Sequence, residues 1–235
     1  MQRREFVLGA AGLGCPPGGL RVALDVGHYR AAAGATAASG ESEFTYNLML
    51  ARLALAGLRA AGFASAFLIG ESGDVLPLAE RTRRAHEGRA GLFLSLHHDS
   101  VQPQYLRSAT VGGRVSRYCD TIHGYGVFVS ATNPHAVLSR RFADGLGGAL
   151  IAAGLTPSLH HAEKIPGEGR TLLDPHLGIY RFDELAVLRT ATMPATLLET
   201  AVIVNHAEEA EVRSGRLHAL VVQAVVRAVG GFCAA

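Results

Sequence analysis

The chain has 235 residues, 49% of them apolar and 18% charged, a composition that supports one sizeable core and excludes wholesale disorder. Lys+Arg 22 against Asp+Glu 20 gives a net charge of +2, too balanced for a protein whose business is polyanion binding, so no nucleic-acid partner is expected. The cysteines Cys15, Cys119 and Cys233 show no CxxC or other zinc-type spacing, whereas the 11 histidines are a rich supply of metal ligands and proton carriers.

At the start, Arg3 and Arg4 precede a short apolar run from Phe6 to Cys15, and Pro16, Pro17, Gly18 and Gly19 follow. A twin arginine, a modest apolar stretch and a small-residue exit resemble a twin-arginine export signal. Residues 1–20 are therefore expected to direct export, to the periplasm or the cell wall. The apolar run is too short for a bilayer, which needs roughly 20 residues. No later segment reaches that length without charges, so no transmembrane segment is expected.

Residues 21–27 form an apolar strand ending in glycine, and a Gly/Ala/Ser-rich loop follows to about residue 40. Residues 43–61 carry Phe44, Leu48, Leu50, Leu53, Leu55 and Leu58 close to helical spacing, with Gly62 as the stop. Residues 64–69 read as a second strand and residues 77–89 as an Arg/Glu-rich amphipathic helix. A third strand over residues 91–96 runs straight into His97, His98 and Asp99. Residues 101–123 are polar and show no period. A fourth strand over 126–130 and a long helix over 134–153 come next. Residues 155–184, broken by prolines and glycines, read as loop. The strand at 194–198 ends on Glu199, and a helix over 207–229 closes the chain. This alternation predicts a single α/β domain, a twisted and mostly parallel sheet with helices on both faces. In such sheets ligands bind beyond the carboxyl ends of the strands.

Three strand ends carry chemistry: Asp25 with His28, Ser95 with His97, and Glu199. Glu43 opens a helix beside them. Two imidazoles and a carboxylate make a three-ligand set of the catalytic zinc type, which leaves a fourth position for water. A further carboxylate that is not a ligand can act as general base, and Glu199 is placed for it. A serine or cysteine nucleophile is disfavoured, because there is no G-x-S-x-G elbow and the cysteines sit outside every motif.

From about Arg21 to Phe232 the chain resembles the zinc-dependent N-acetylmuramoyl-L-alanine amidases of bacterial cell-wall hydrolysis. That family opens with a strand and I-D-x-G-H-G-G-x-D-x-G-A. Here Leu24-Asp25-Val26-Gly27-His28 stands at that place, with Gly34-Ala35 at the matching offset. Its glutamate four residues before a helical asparagine is matched by Glu43 and Asn47. An arginine before F-I-S-I-H-A-N is matched by Arg81 before Leu92-Phe93-Leu94-Ser95-Leu96-His97. The closing M-P-A-x-L-x-E-T is matched from Met193 to Thr200. The resemblance implies one zinc per chain held by His28, Glu43 and His97, with Glu199 as the catalytic glutamate. It also implies peptidoglycan as substrate, cut between N-acetylmuramic acid and the L-alanine of the stem peptide. On this reading residues 21–235 are the amidase catalytic domain. The chain departs from the family at Tyr29-Arg30 and Ala32 after the first histidine, at His98-Asp99 after the second, and at Ala201.

Four further residues are candidates for substrate binding or regulation: His98, Arg81, Glu163 and Glu168. His98 could orient a ligand, although a solvated strand-end histidine is the plainer expectation. Arg81 could clamp a loop by ion pairing, against a solvated helix-face arginine. His160, His161, Glu163, Glu168 and His176 fall in the irregular stretch 155–184. These residues look like a metal cluster, although solvated loop side chains are the plainer expectation; the stretch could also wall the cleft, which is favoured over plugging it with a carboxylate until an activator protein withdraws it. Two rival functions use the same residues: a zinc peptidase acting on another peptidoglycan bond, and an inactive wall-binding or activator module.

Overall fold

The computed structural model describes residues 19–111 and 113–234. Of the expected export signal at residues 1–20, all but Gly19 and Leu20 lie outside the described residues. Leu20 packs into the main core.

A seven-stranded sheet organises the chain, in the order β2-β1-β3-β9-β6-β8-β7. Its left half is parallel: β1 (Val22–Val26) lies between β2 (Phe67–Ile69) and β3 (Leu92–Asp99), and β3 pairs with β9 (Ala195–Val202). The sheet then reverses, because β6 (Gly126–Val129) runs antiparallel to β9 and parallel to β8 (Ile179–Arg181). The edge strand β7 (Thr171–Asp174) is antiparallel to β8. The α/β class and the largely parallel sheet expected from the alternation of elements are thus present.

The strands of the left half are apolar on both faces, as buried parallel strands must be. Val22, Leu24 and Val26 of β1 join Leu92, Leu94 and Leu96 of β3 in one core, under α1 (Glu43–Ala60), α3 (Ala136–Ala152) and α6 (Arg216–Ala234). Ala23, Phe93, Ala195 and Leu197 point the other way, into a smaller core under α2 (Leu78–Glu87) and α4 (Ala186–Arg189). Helices therefore cover both faces. Among the described residues α6 is the one helix with the length and hydropathy of a membrane span. Its Leu217, Val221, Val225 and Val229 are packed in the main core, which accounts for that hydropathy.

Three segments depart from expectation. Residues 101–123 are not irregular throughout, since β4 (Arg107–Val111) and β5 (Arg114–Tyr118) form a separate antiparallel hairpin. Residues 155–184 are not all loop, because β7 and β8 complete the main sheet. These strands are only three to five residues long, too short for a period to stand out in the sequence. The closing helix is two helices: α5 (His206–Arg213) stops at Ser214, Gly215 adopts φ 79, and α6 starts afresh.

Candidate metal centre and cleft

The strand alternation decides what faces the cleft. His97 follows Phe93 and Ser95 on the face of the smaller core, and Glu199 follows Ala195 and Leu197 onto the same face. His97 and Glu199 are direct partners in the parallel register of β3 and β9. Both therefore look the same way from the carboxyl-terminal halves of adjacent strands, which run on past them to Asp99 and Val202, so β9 does not end on Glu199 as the sequence pattern suggests.

Glu43 arrives from the other element type. Ser42 caps α1 by accepting a hydrogen bond from the Thr45 N–H at 3.3 Å, which starts the helix at Glu43. The Glu43 carboxylate meets His28 Nε2 through Oε2 at 3.0 Å and His97 Nδ1 through Oε1 at 3.0 Å. The three donor groups lie within 4.8 Å of one another. Burial pushes the Glu43 carboxyl up, but the hydrogen bonds from His28 and His97 outweigh it and hold it well below the usual carboxylate range.

The turn that presents His28 is strained and tightly fitted. His28 has φ 67, a conformation that a residue with a side chain seldom adopts. A Cβ on Gly27 would stand 2.4 Å from the His97 ring, and one on Gly34 would stand 2.2 Å from Glu43 Oε2. Glycine is required at both places because the His97, His28 and Glu43 side chains fill the space.

Arg81 holds this turn from below. Its Nη1 donates to Asp25 Oδ1 at 2.7 Å and to the Val26 carbonyl, and its Nη2 donates to the His28 carbonyl. Asp25 Oδ2 accepts from the Ser95 hydroxyl at 2.8 Å. Arg81 is only 2% exposed, so the expectation of a solvated helix-face arginine is corrected in favour of the clamp. Burial raises the Asp25 pKa even against the Arg81 charge, which shows how much this pair depends on its partner.

His98 is also corrected: it is buried rather than solvated, and by strand alternation it points away from the cleft, toward α1 and α6. Its Nδ1 pairs with Asn47 Oδ1 at 2.8 Å, and its Nε2 with His218 Nε2 at 3.0 Å. Asn47 Oδ1 can only accept, so His98 carries its proton on Nδ1 and His218 donates from Nε2. Asn47 in turn donates to Glu43 Oε1 at 3.1 Å and to the Gly27 carbonyl at 3.2 Å. A chain of neutral groups thus runs from α6 to the Glu43 carboxylate and fixes its orientation. Burial pushes His98 well below its ordinary pKa and His218 down to about 4.

The cleft above these groups encloses about 510 Å³. His28, His97 and Glu199 share it with apolar walls that include Leu76, Phe128 and Leu197. Glu199 Oε2 is buried without a hydrogen-bond partner. Burial first, and then the carboxylates of Asp99 and Glu43, push the Glu199 pKa well above the usual range. An acid that is easily protonated and close to a metal centre is suited to taking and returning a proton.

The stretch 155–184 contributes His161 and Arg170 to the cleft wall. Glu163 instead accepts from the Tyr105 hydroxyl, and Glu168 accepts from Gln102 Nε2 at 2.8 Å. Neither carboxylate meets the His28, Glu43 and His97 donors. The sequence reading did not anticipate His218, a lone histidine in an apolar helix with no pattern around it. The cap at Ser42, by contrast, was there to be read: a serine directly before the helical run.

A sequence profile described as N-acetylmuramoyl-L-alanine amidase matches residues 22–230. The chain is 28% identical over 213 residues to N-acetylmuramoyl-L-alanine amidase AmiC of Neisseria meningitidis serogroup B, covering 80% of this chain and 46% of that one. It therefore spans less than half the length of that curated relative. In fold, the chain is similar to an N-acetylmuramoyl-L-alanine amidase from Clostridium difficile 630, with a TM-score of 0.70 and 15% identity over 92% of this chain and 97% of that chain. It is also similar to the amidase Ami1 of Mycobacterium smegmatis, with a TM-score of 0.68 and 21% identity over 95% of this chain and 99% of that chain.

Proposed function

The chain belongs to the N-acetylmuramoyl-L-alanine amidase family, and from that premise we propose that it hydrolyses peptidoglycan at the amide joining N-acetylmuramic acid to the L-alanine of the stem peptide. One observation carries the reading: the His28, Glu43 and His97 donors converge at the cleft in which Glu199, the register partner of His97, also opens.

The donor set fits zinc. Two imidazoles and one carboxylate are the ligands of a catalytic zinc site, and Gly27 and Gly34 leave the space those side chains need. Bound there, zinc supplies a Lewis acid for the scissile carbonyl and makes water a nucleophile near neutral pH. The protein does the rest. Arg81 fixes the His28 turn, and the Asn47–His98–His218 chain aims Glu43. Glu199 accepts the proton of the attacking water and delivers it to the leaving L-alanine nitrogen, which would depart poorly as an anion. The apolar cleft walls limit bulk water, which strengthens each charge interaction at the reacting bond.

The substrate class also accounts for the twin arginines at Arg3 and Arg4, since peptidoglycan is met only after export. We read residues 155–184 as cleft wall. With Glu163 and Glu168 tied to Tyr105 and Gln102, an activator has no plug of those two carboxylates to withdraw.

Digestion of purified peptidoglycan, with and without a chelator, tests the reading. Mass analysis should show stem peptides with a free L-alanine amino terminus beside peptide-free glycan, and the chelator should abolish both products. Cleavage inside the stem peptide would favour a peptidase instead. Undiminished product in chelator would remove the metal from the mechanism.

A further inference from the structure

A second group of donors converges beside the first. Asp99 ends β3, two residues beyond His97, and stands on the same face of the strand. A one-turn 3₁₀ helix (His160–Ala162) brings two imidazoles to it. His161 Nε2 lies 2.9 Å from Asp99 Oδ2, and His160 Nε2 lies 3.3 Å from the same oxygen. The two rings lie side by side, their centroids 3.9 Å apart. All three donors fall within 4.8 Å of one another and all three residues are buried.

The outer atoms of each donor are already engaged. His160 Nδ1 is held by the Ser158 hydroxyl at 2.8 Å. Ser158 is fixed in turn through its backbone, donating to the Tyr125 carbonyl at 2.8 Å and accepting from the Tyr180 hydroxyl at 2.6 Å. His161 Nδ1 is held by Glu168 Oε2 at 3.0 Å, and Glu168 Oε1 is anchored by Gln102. Asp99 Oδ1 accepts from the Ser100 N–H at 2.7 Å, which leaves Oδ2 for the imidazoles. Histidines whose Nδ1 is tied to an outer partner while Nε2 is aimed inward are arranged as metal ligands are.

An ion pair alone does not account for the arrangement. A charged His161 between Asp99 and Glu168 would satisfy those three groups. His160 Nε2 would remain as it is, buried and without a hydrogen-bond partner although the residue is only 4% exposed. A buried polar atom left unpaired costs about 1–3 kcal/mol, and the cost vanishes if the atom coordinates an ion.

The geometry points to a second cation site, formed by Asp99 Oδ2, His160 Nε2 and His161 Nε2, that takes a divalent first-row transition metal. Imidazole and carboxylate donors suit zinc and its neighbours rather than calcium or magnesium, which prefer all-oxygen sets. The site would bolt the 3₁₀ turn to the end of β3 and so fix one wall of the cleft, where His161 stands with Glu199. This inference is independent of the zinc assigned to His28, Glu43 and His97.

The test strips the full-length protein with a chelator, dialyses it against Zn²⁺ alone and measures bound metal by elemental analysis, with circular dichroism on each variant. The wild type should hold about two zinc ions per chain, and His160→Ala and His97→Ala should each hold about one. A wild type that stops at one, with His97→Ala holding none, overturns the second site and leaves the first intact. A wild type that stops at one, with His160→Ala holding none and His97→Ala still one, supports the second site and overturns the first. Should His160→Ala not fold, His160→Gln serves in its place, and one zinc in wild type with none in His97→Ala remains the overturning result.

Discussion

At the scale of single residues, the proposed chemistry rests on one carboxylate outside the His28, Glu43 and His97 set. Glu199 is the register partner of His97 on β9, and burial together with nearby carboxylates pushes its pKa up. Glu199→Gln keeps size and shape but cannot accept a proton. It should retain its zinc and lose roughly 10²-fold or more in hydrolysis, the usual scale for a positioned acid or base. Near-normal turnover together with full metal content would place the base elsewhere. The residues after the second histidine teach a different lesson. Where the family pattern carries Ala-Asn, this chain has His98 and Asp99, and strand alternation sends them in opposite directions: His98 into the chain that orients Glu43, and Asp99 into the cluster with His160 and His161. Two adjacent substitutions thus serve two separate networks.

At the scale of elements, the decisive contact joins α2 to the end of β1. Arg81 is the largest fully buried side chain, and it pairs with Asp25 while capping two carbonyls of the turn that carries His28. Removing one partner of a buried pair leaves an uncompensated charge and costs about 3–5 kcal/mol. Arg81→Ala should therefore lower stability on that scale and also weaken zinc binding, because the His28 turn loses its support. Arg81→Lys restores the charge but not the planar fork that spans Asp25 and both carbonyls. It should recover part of the stability while zinc affinity stays reduced. Chemical denaturation and metal titration on the same samples separate the two effects, and equal recovery of both would mean that charge alone matters.

At the scale of the whole molecule, the buried His98–His218 pair links α6 through Asn47 to Glu43, and it should make the fold sensitive to acid. Burial depresses the His218 pKa from 6.5 to about 4. The unfolded chain therefore binds this proton from about pH 6.5 downward, while the folded chain does not until about pH 4. Stability from this group is full above 6.5 and is lost as pH falls between those values. The loss is on the order of 2 kcal/mol between pH 7 and pH 5, at about 1.4 kcal/mol per unit. His218→Leu should start lower at pH 7, by about 1–3 kcal/mol, because His98 Nε2 loses its donor. It should then lose less than the wild type on acidification. Denaturant melts of chelator-treated protein at the two pH values measure this, and parallel losses would show that His218 does not set the slope.

The sequence by itself determined the layers and pointed to His28, Glu43 and His97, the donors that the fold brings together. Apolar runs leading to Gly27, His97 and Glu199 declared a largely parallel sheet with polar donors toward its carboxyl edge, because strand pattern is a local property. Glu43 could be read for the same reason, as the first residue of a helix behind Ser42. The tertiary structure decided everything that depends on long-range pairing. The strand at β6 was legible but its antiparallel direction was not, and β7 and β8 add to the sheet from a stretch whose sequence has no period. Arg81 and His98 looked like surface groups because burial is set by what packs over a residue, and α2 and α6 supply that cover from far along the chain. Asp99 and the His160–His161 pair carry no shared motif and are separated by three strands and a long helix. Only the placement of the 3₁₀ turn against the end of β3 turns three scattered polar residues into one set of converging donors.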